Sequence, residues 1–140
     1  MQSDHLWGEQ HVPVRLLVVD DDPSLRKLFE LLGSENPRIA GIDTAADGPA
    51  ALAAAALEPP DGIVLDADLR GDDGLALIPS LQLAGPDAVV VVFSSAPYAD
   101  DAQARRAGAD AFVEKGTDPE VLLTRVIDLV DRRRAAATHE

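Results

Sequence analysis

Four short apolar runs in this chain each end in residues that can do chemistry. The run at 16–19 is followed by Asp20-Asp21-Asp22 and the run at 63–65 by Asp66. The run at 88–93 is followed by Ser94-Ser95, and the run at 111–113 by Glu114-Lys115. Continuous apolar runs rich in Val and Ile suit strands buried on both faces of a parallel sheet. In such a sheet, ligands bind beyond the carboxyl ends of the strands, where the strand order reverses. With the order 2-1-3-4-5, strands one and three are neighbours ~5 Å apart. Asp21 and Asp66 then face each other across that gap.

Carboxylates brought this close repel, and one of them holds its proton unless a partner intervenes. A hard divalent cation removes the conflict. Mg2+ takes oxygen ligands and keeps several waters, so two carboxylates and a carbonyl suffice. A carboxylate left free beside it can act as a nucleophile towards phosphorus. Asp22 reads more simply, as a helix cap. Among the 12 basic residues only Lys27 and Lys115 are lysines. Lys27 falls on the polar face of the first helix and reads as solvated surface. Lys115 ends a buried strand, where a compact charge on a flexible stem can reach a phosphate.

The elements that must position these residues alternate along the chain. In the first helix Asp22 caps, Pro23 takes the first position, and Leu25, Leu28, Phe29 and Leu32 form a face that Gly33 ends. A weaker strand covers 39–44, and an Ala-rich helix runs from about 49 to 57 and stops at Pro59-Pro60. The third helix carries Leu75, Ile78 and Leu81, with Pro79 inside it to kink or shorten it. The last helix starts at Thr117-Asp118-Pro119-Glu120, which fits a capping box, and presents Leu123, Val126, Ile127 and Val130 on one face. It ends at Arg132-Arg133-Arg134, cations that suit the negative end of a helix dipole. Five strands alternating with five helices over short connections predict an α/β class, doubly wound fold with a five-stranded parallel sheet. The expected organisation is one domain over 15–134, an N-terminal extension at 1–14 and a C-terminal tail at 135–140.

Composition narrows the function classes. The chain has 140 residues, no cysteine and a formal charge of −13. This excludes disulfide frameworks and thiol chemistry. It also argues against a nucleic-acid binder, whose footprint is a basic patch. No apolar run approaches the ~20 residues of a membrane span. The first fourteen residues have neither a basic start nor an apolar stretch, so no signal peptide is expected and the location expected is cytoplasmic. His5, His11, His139 and Trp7 fall in the two extensions, and the histidines have no partner at ligand spacing.

Taken in order, LLVVDDDPSLR, PDGIVLDADLRGDDG, VVVFSSAP and GADAFVEKG resemble the response-regulator receiver domain of two-component signal transduction. The resemblance spans about residues 15–134 and implies a (βα)5 flavodoxin-like fold. It implies that Asp66 accepts a phosphoryl group from the phosphohistidine of a histidine kinase or phosphotransfer protein. By the same resemblance Asp21 binds Mg2+ directly, Asp20 through water, and the backbone carbonyl of Asp68 completes the protein ligands with Asp66. Ser94 matches the hydroxyl that turns towards the phosphoryl group, Phe112 the aromatic that moves with it, and Lys115 the phosphate's cationic partner. The resemblance implies a monomer or weak dimer, and a downstream protein target or an output domain absent from this sequence. Asp100, Asp101, Arg105 and Arg106 fall on or near the expected output surface.

Three features depart from the family pattern. Arg70 stands where proline is common, Gly116 follows Lys115 where many members have proline, and the segment between Ser94 and Lys115 is one residue shorter. Two alternatives compete. Asp66-Ala-Asp68 also resembles the motif of haloacid-dehalogenase-type phosphatases, with Asp66 as nucleophile and Asp68 as general acid; that motif usually opens a chain. A receiver-like binding module that is never phosphorylated is the other, but it has no need of the acidic pair, Asp66 and Lys115 together. An EF-hand loop from Asp66 fails, because Arg70 takes a ligand position and Leu77 stands where the bidentate Glu belongs. A dinucleotide site fails because no G-x-G-x-x-G follows the first strand.

Overall fold

β1 (Val14–Val19) is buried at every position but Arg15, and it lies between β2 (Ile39–Ala45) and β3 (Gly62–Leu65) in the sheet. The computed structural model describes residues 12–95 and 99–138. His5, Trp7, His11 and His139, with most of the N-terminal extension, lie outside the described residues. β6 (Val89–Ser94) and β7 (Ala111–Glu114) complete a five-stranded sheet in the order β2-β1-β3-β6-β7, every pair parallel. This is the expected 2-1-3-4-5 topology, interrupted in sequence by a small hairpin of β4 (Asp68–Leu69) and β5 (Asp72–Asp73).

The helices cover both faces of the sheet. α1 (Pro23–Ser34) and α5 (Pro119–Thr138) pack on one face, where Phe29, Leu122, Leu123, Val126, Ile127 and Val130 meet the even-numbered side chains of β1. α2 (Gly48–Leu57), α3 (Ile78–Ala84) and α4 (Asp101–Arg106) pack on the other against Leu17, Val19, Ile63, Leu65, Val90 and Val92. Burial on both faces explains why these strands read as unbroken apolar runs.

Several local features differ from the expectation, each for a physical reason. Gly33 does not end α1; it is buried within the helix, and a Cβ there would stand 2.5 Å from Ile42 Cδ1. The glycine lets α1 lie close on β2. Leu28 is exposed, leaving Leu25, Phe29 and Leu32 as the side chains that meet the core. Pro79 sits in the first turn of α3, after a 3-10 turn over Gly74–Leu77, where it forgoes no intrahelical hydrogen bond.

α5 is capped by Asp118, not Thr117: the Asp118 carboxylate accepts from the Glu120 N–H at 2.8 Å. The helix also continues through Ala135, Ala136 and Ala137 to Thr138, so these residues are not a loose tail. Alanine has the highest helix propensity, and nothing in that stretch stops the helix. Arg133 and Arg134 therefore lie within the helix and clasp the amino ends of the strands. Arg133 donates to the Ala88 carbonyl at 2.8 Å, and Arg134 to the Val12 carbonyl at 2.7 Å. No helix among the described residues is long and apolar enough to cross a membrane.

Candidate functional site

The parallel register places Val19 beside Leu65 and Leu65 beside Val92, so the residues that follow each strand emerge at one edge. Asp20, Asp21 and Asp66 each bring a carboxylate oxygen within 4.8 Å of the others. Asp20 and Asp66 are buried, and Asp21 is half-buried. The sequence argument set Asp21 opposite Asp66; the structure brings all three together. Asp22 points away and caps α1, accepting from the N–H groups of Ser24 and Leu25.

The Asp66 carboxylate is held on both oxygens. Its Oδ1 accepts from the Ser94 hydroxyl at 3.2 Å and the Asp68 N–H at 3.1 Å. Its Oδ2 lies 2.9 Å from Lys115 Nζ, which is also 2.9 Å from Asp20 Oδ2. Lys115 thus bridges two carboxylates at the mouth of the sheet, while Lys27 is exposed on α1 as expected. The Lys115 N–H in turn donates to the Ser94 carbonyl at 2.9 Å, tying the end of β6 to the residue after β7. Ser94 is fully buried, whereas Phe112 is half-buried and packs against the α2–α4 side of the core. The Asp68 side chain accepts from the Gly71 N–H at 2.9 Å, closing the β4–β5 hairpin.

These contacts set the charges. Burial pushes Asp20 above the ordinary carboxylate range, against the lowering effect of the Asp22 N–H and of Lys115. The neighbouring Asp66 charge pushes the same way. For Lys115 burial acts downward, but the hydrogen bonds to Asp66 and Asp20 outweigh it and hold the ammonium above its usual value. The two results agree once the stoichiometry is considered. Lys115 gains from two carboxylates, whereas Asp20 has only a share of one lysine and still faces Asp66.

Three supporting residues escaped the sequence argument. Gly74 packs on the strand end itself: a Cβ there would lie 2.0 Å from the Asp66 carbonyl oxygen. Arg26 Nη1 donates to the Asp20 carbonyl at 2.8 Å, fixing the first acidic residue from behind. Arg70 Nε stands 3.8 Å from Asp21 Oδ2. Gly74 and Arg70 both belong to the stretch DADLRGDDG, but a glycine in sequence does not say what its missing side chain would strike. Arg70 and Gly116 also explain two departures from the family pattern. Arg70 has φ 56° and Gly116 φ 110°, values closed to proline, whose ring fixes φ near −65°.

The arrangement has the parts that phosphoryl transfer requires: a buried carboxylate, a fixed cation, a hydroxyl donor and an oxygen cage. Oxygen-only ligands at this spacing suit a hard divalent cation. Comparison with known proteins agrees. Residues 16–127 match the model of the response regulator receiver domain family. The chain is 37% identical over 129 residues to the transcriptional regulatory protein PrrA of Mycobacterium tuberculosis, covering 89% of this chain and 53% of that protein. It thus spans about half the length of the curated relatives it matches. A response regulator from Burkholderia pseudomallei, solved with a phosphorylated aspartic acid, calcium ion and citrate, superposes with TM-score 0.68 at 28% identity, over 88% of this chain and 72% of that one. A signal receiver domain of the Luxo repressor protein from Vibrio parahaemolyticus shares the fold, with TM-score 0.78 at 22% identity, over 92% of this chain and 98% of that one. The chain belongs to the receiver domain family of two-component response regulators.

Proposed function

We propose that Asp66 is the phosphoacceptor of this receiver domain and that Mg2+ binds beside it. The observation that carries the reading is the Asp66 carboxylate itself. It is buried at a strand end, oriented by Ser94 and Asp68 on one oxygen and by Lys115 on the other, and placed against Asp20 and Asp21.

In this reading an Asp66 oxygen attacks the phosphorus of a phosphohistidine on a histidine kinase or phosphotransfer protein. A P–O bond forms, the P–N bond breaks, and the electron pair returns to the imidazole, which takes a proton. Asp21, Asp66 and the Asp68 carbonyl would hold the cation directly and Asp20 through water. The cation supplies charge neutralisation of the phosphoryl oxygens. Lys115 transfers its contact from the carboxylate to a phosphoryl oxygen, and Ser94 donates to another. Phe112 follows Ser94 inward and alters the surface around α4, β7 and α5. The acidity of the chain supports a protein as the downstream partner, and a cytoplasmic location fits a kinase as donor.

Intact-mass measurement with acetyl phosphate and Mg2+ tests the assignment. Wild type is expected to gain one phosphoryl group and Asp66→Asn none. Equal uptake by both proteins removes Asp66 from the role, and turnover of a free phosphate ester favours the phosphatase alternative.

A further inference from the structure

Three carboxylates meet at this site, and two basic side chains answer them. Lys115 spans Asp20 and Asp66 at 2.9 Å each. Asp21 is left to Arg70, whose Nε lies 3.8 Å from its Oδ2. Every acid of the cluster therefore has a cationic neighbour from the protein itself.

Arg70 reaches this place at a local cost. It occupies the first position of the two-residue turn of the β4–β5 hairpin, with φ 56°, and Gly71 follows with φ 88°. Two positive φ values define the type I′ turn, whose favoured pair is Asn-Gly or Asp-Gly. Arginine has no local reason to stand there, and its side chain is 76% exposed, so it contributes little packing. Residues that break a local rule without a packing return are those to suspect of a role at the site. The turn is also the structure's means of aiming the side chain: the Asp68 carboxylate fixes the Gly71 N–H only two residues from the phosphoacceptor.

We infer that Arg70 is a built-in competitor for the divalent cation, occupying Asp21 in the metal-free protein and setting the cation concentration at which the site fills. The inference rests on the reading that Mg2+ binds at Asp21. A cation that binds Asp21 directly meets a carboxylate already facing a guanidinium, so part of its electrostatic gain goes into releasing Arg70. Because Arg70 is exposed, the pair is screened, and the competition is modest and salt-dependent.

The test compares wild type, Arg70→Gln and Arg70→Lys in Mg2+ titrations followed by calorimetric melting temperature at low ionic strength. Gln and Lys are both unbranched at Cβ and place similar demands on the turn, so they differ mainly in charge. Arg70→Gln is expected to bind Mg2+ about threefold more tightly, the scale of an exposed ion pair. Arg70→Lys is expected to stay close to wild type, and the gain in Arg70→Gln is expected to shrink at high salt. Unchanged or weaker binding in Arg70→Gln overturns the inference while leaving the metal reading intact. No Mg2+ response in any of the three proteins overturns the metal reading and the inference with it.

Discussion

Asp20 carries its negative charge against the preference of its surroundings. It is buried, beside Asp66, and its pKa is raised in the folded protein above the ordinary 3.8. A carboxyl whose folded pKa is raised binds its proton more tightly when folded, so its neutral form favours folding. That contribution is present below 3.8 and is lost as pH rises through the raised value. At neutral pH the charge is therefore a net cost that the site tolerates for chemistry. Asp20→Asn is expected to raise the melting temperature of the metal-free protein at neutral pH. The gain is expected to fade as pH falls below 3.8, where wild type becomes protonated in both states. Thermal unfolding over that pH range checks it, and a gain that grows on acidification contradicts the sign. The acid residues were legible in the sequence because each ends an apolar run. Their supports were not. Gly74, Arg26 and Arg70 act through backbone approach and side-chain reach, which spacing along one segment does not encode.

The helices show where local signals suffice and where they compete. Asp47 and Asp100 cap α2 and α4 as short polar residues ahead of helical patterns do, and Asp100 forms a full capping box with Gln103. At α5 the sequence offers two caps, Thr117 and Asp118, and propensity does not choose between them. The structure chooses Asp118, because Thr117 pairs with Lys115 in an isolated parallel bridge ahead of the helix. A tight turn follows β7, with the Thr117 N–H donating to the Glu114 carbonyl at 3.2 Å. Gly116, at φ 110°, makes that turn possible. Asp118→Ala is expected to cost about 1 kcal/mol of stability, the usual worth of a cap. Thr117→Ala, at a half-buried position whose side chain caps no helix, is expected to cost less than Asp118→Ala, about 0.5 kcal/mol or below. Urea unfolding of both variants decides between the two caps, since the capping-box reading requires the reverse order.

At the scale of the molecule, very few contacts join the end of β3 to the edge of the sheet. Ser94 touches Asp66 through its hydroxyl and receives the Lys115 N–H on its carbonyl, and Lys115 returns to Asp66 through its ammonium. This closed circuit joins the ends of β3, β6 and β7. β7 is one of the two edge strands, and Phe112 on it is only half-buried. α4, which follows β6 in the chain, is six residues long, and its Asp101–Arg105 pair at 3.0 Å joins residues of the same helix. If Asp66 is phosphorylated as proposed, the group would add charge and acceptor oxygens that compete for both Ser94 and Lys115. Since the backbones of the same two residues close the site end of the β6–β7 ladder, satisfying the phosphoryl group would bear on that end of the edge. The clasp of Arg133 and Arg134 at the opposite end ties α5 to the strand starts, so a change would be expected at the site edge. Amide hydrogen exchange with and without beryllofluoride, a phosphoryl mimic, is expected to show altered protection in β7, α4 and the first turns of α5. The last turns of α5 and the core of β1 are expected to remain unchanged. Changes confined to the loops after β1 and β3 would mean that the circuit through Ser94 and Lys115 does not transmit, and would favour a module that binds without switching.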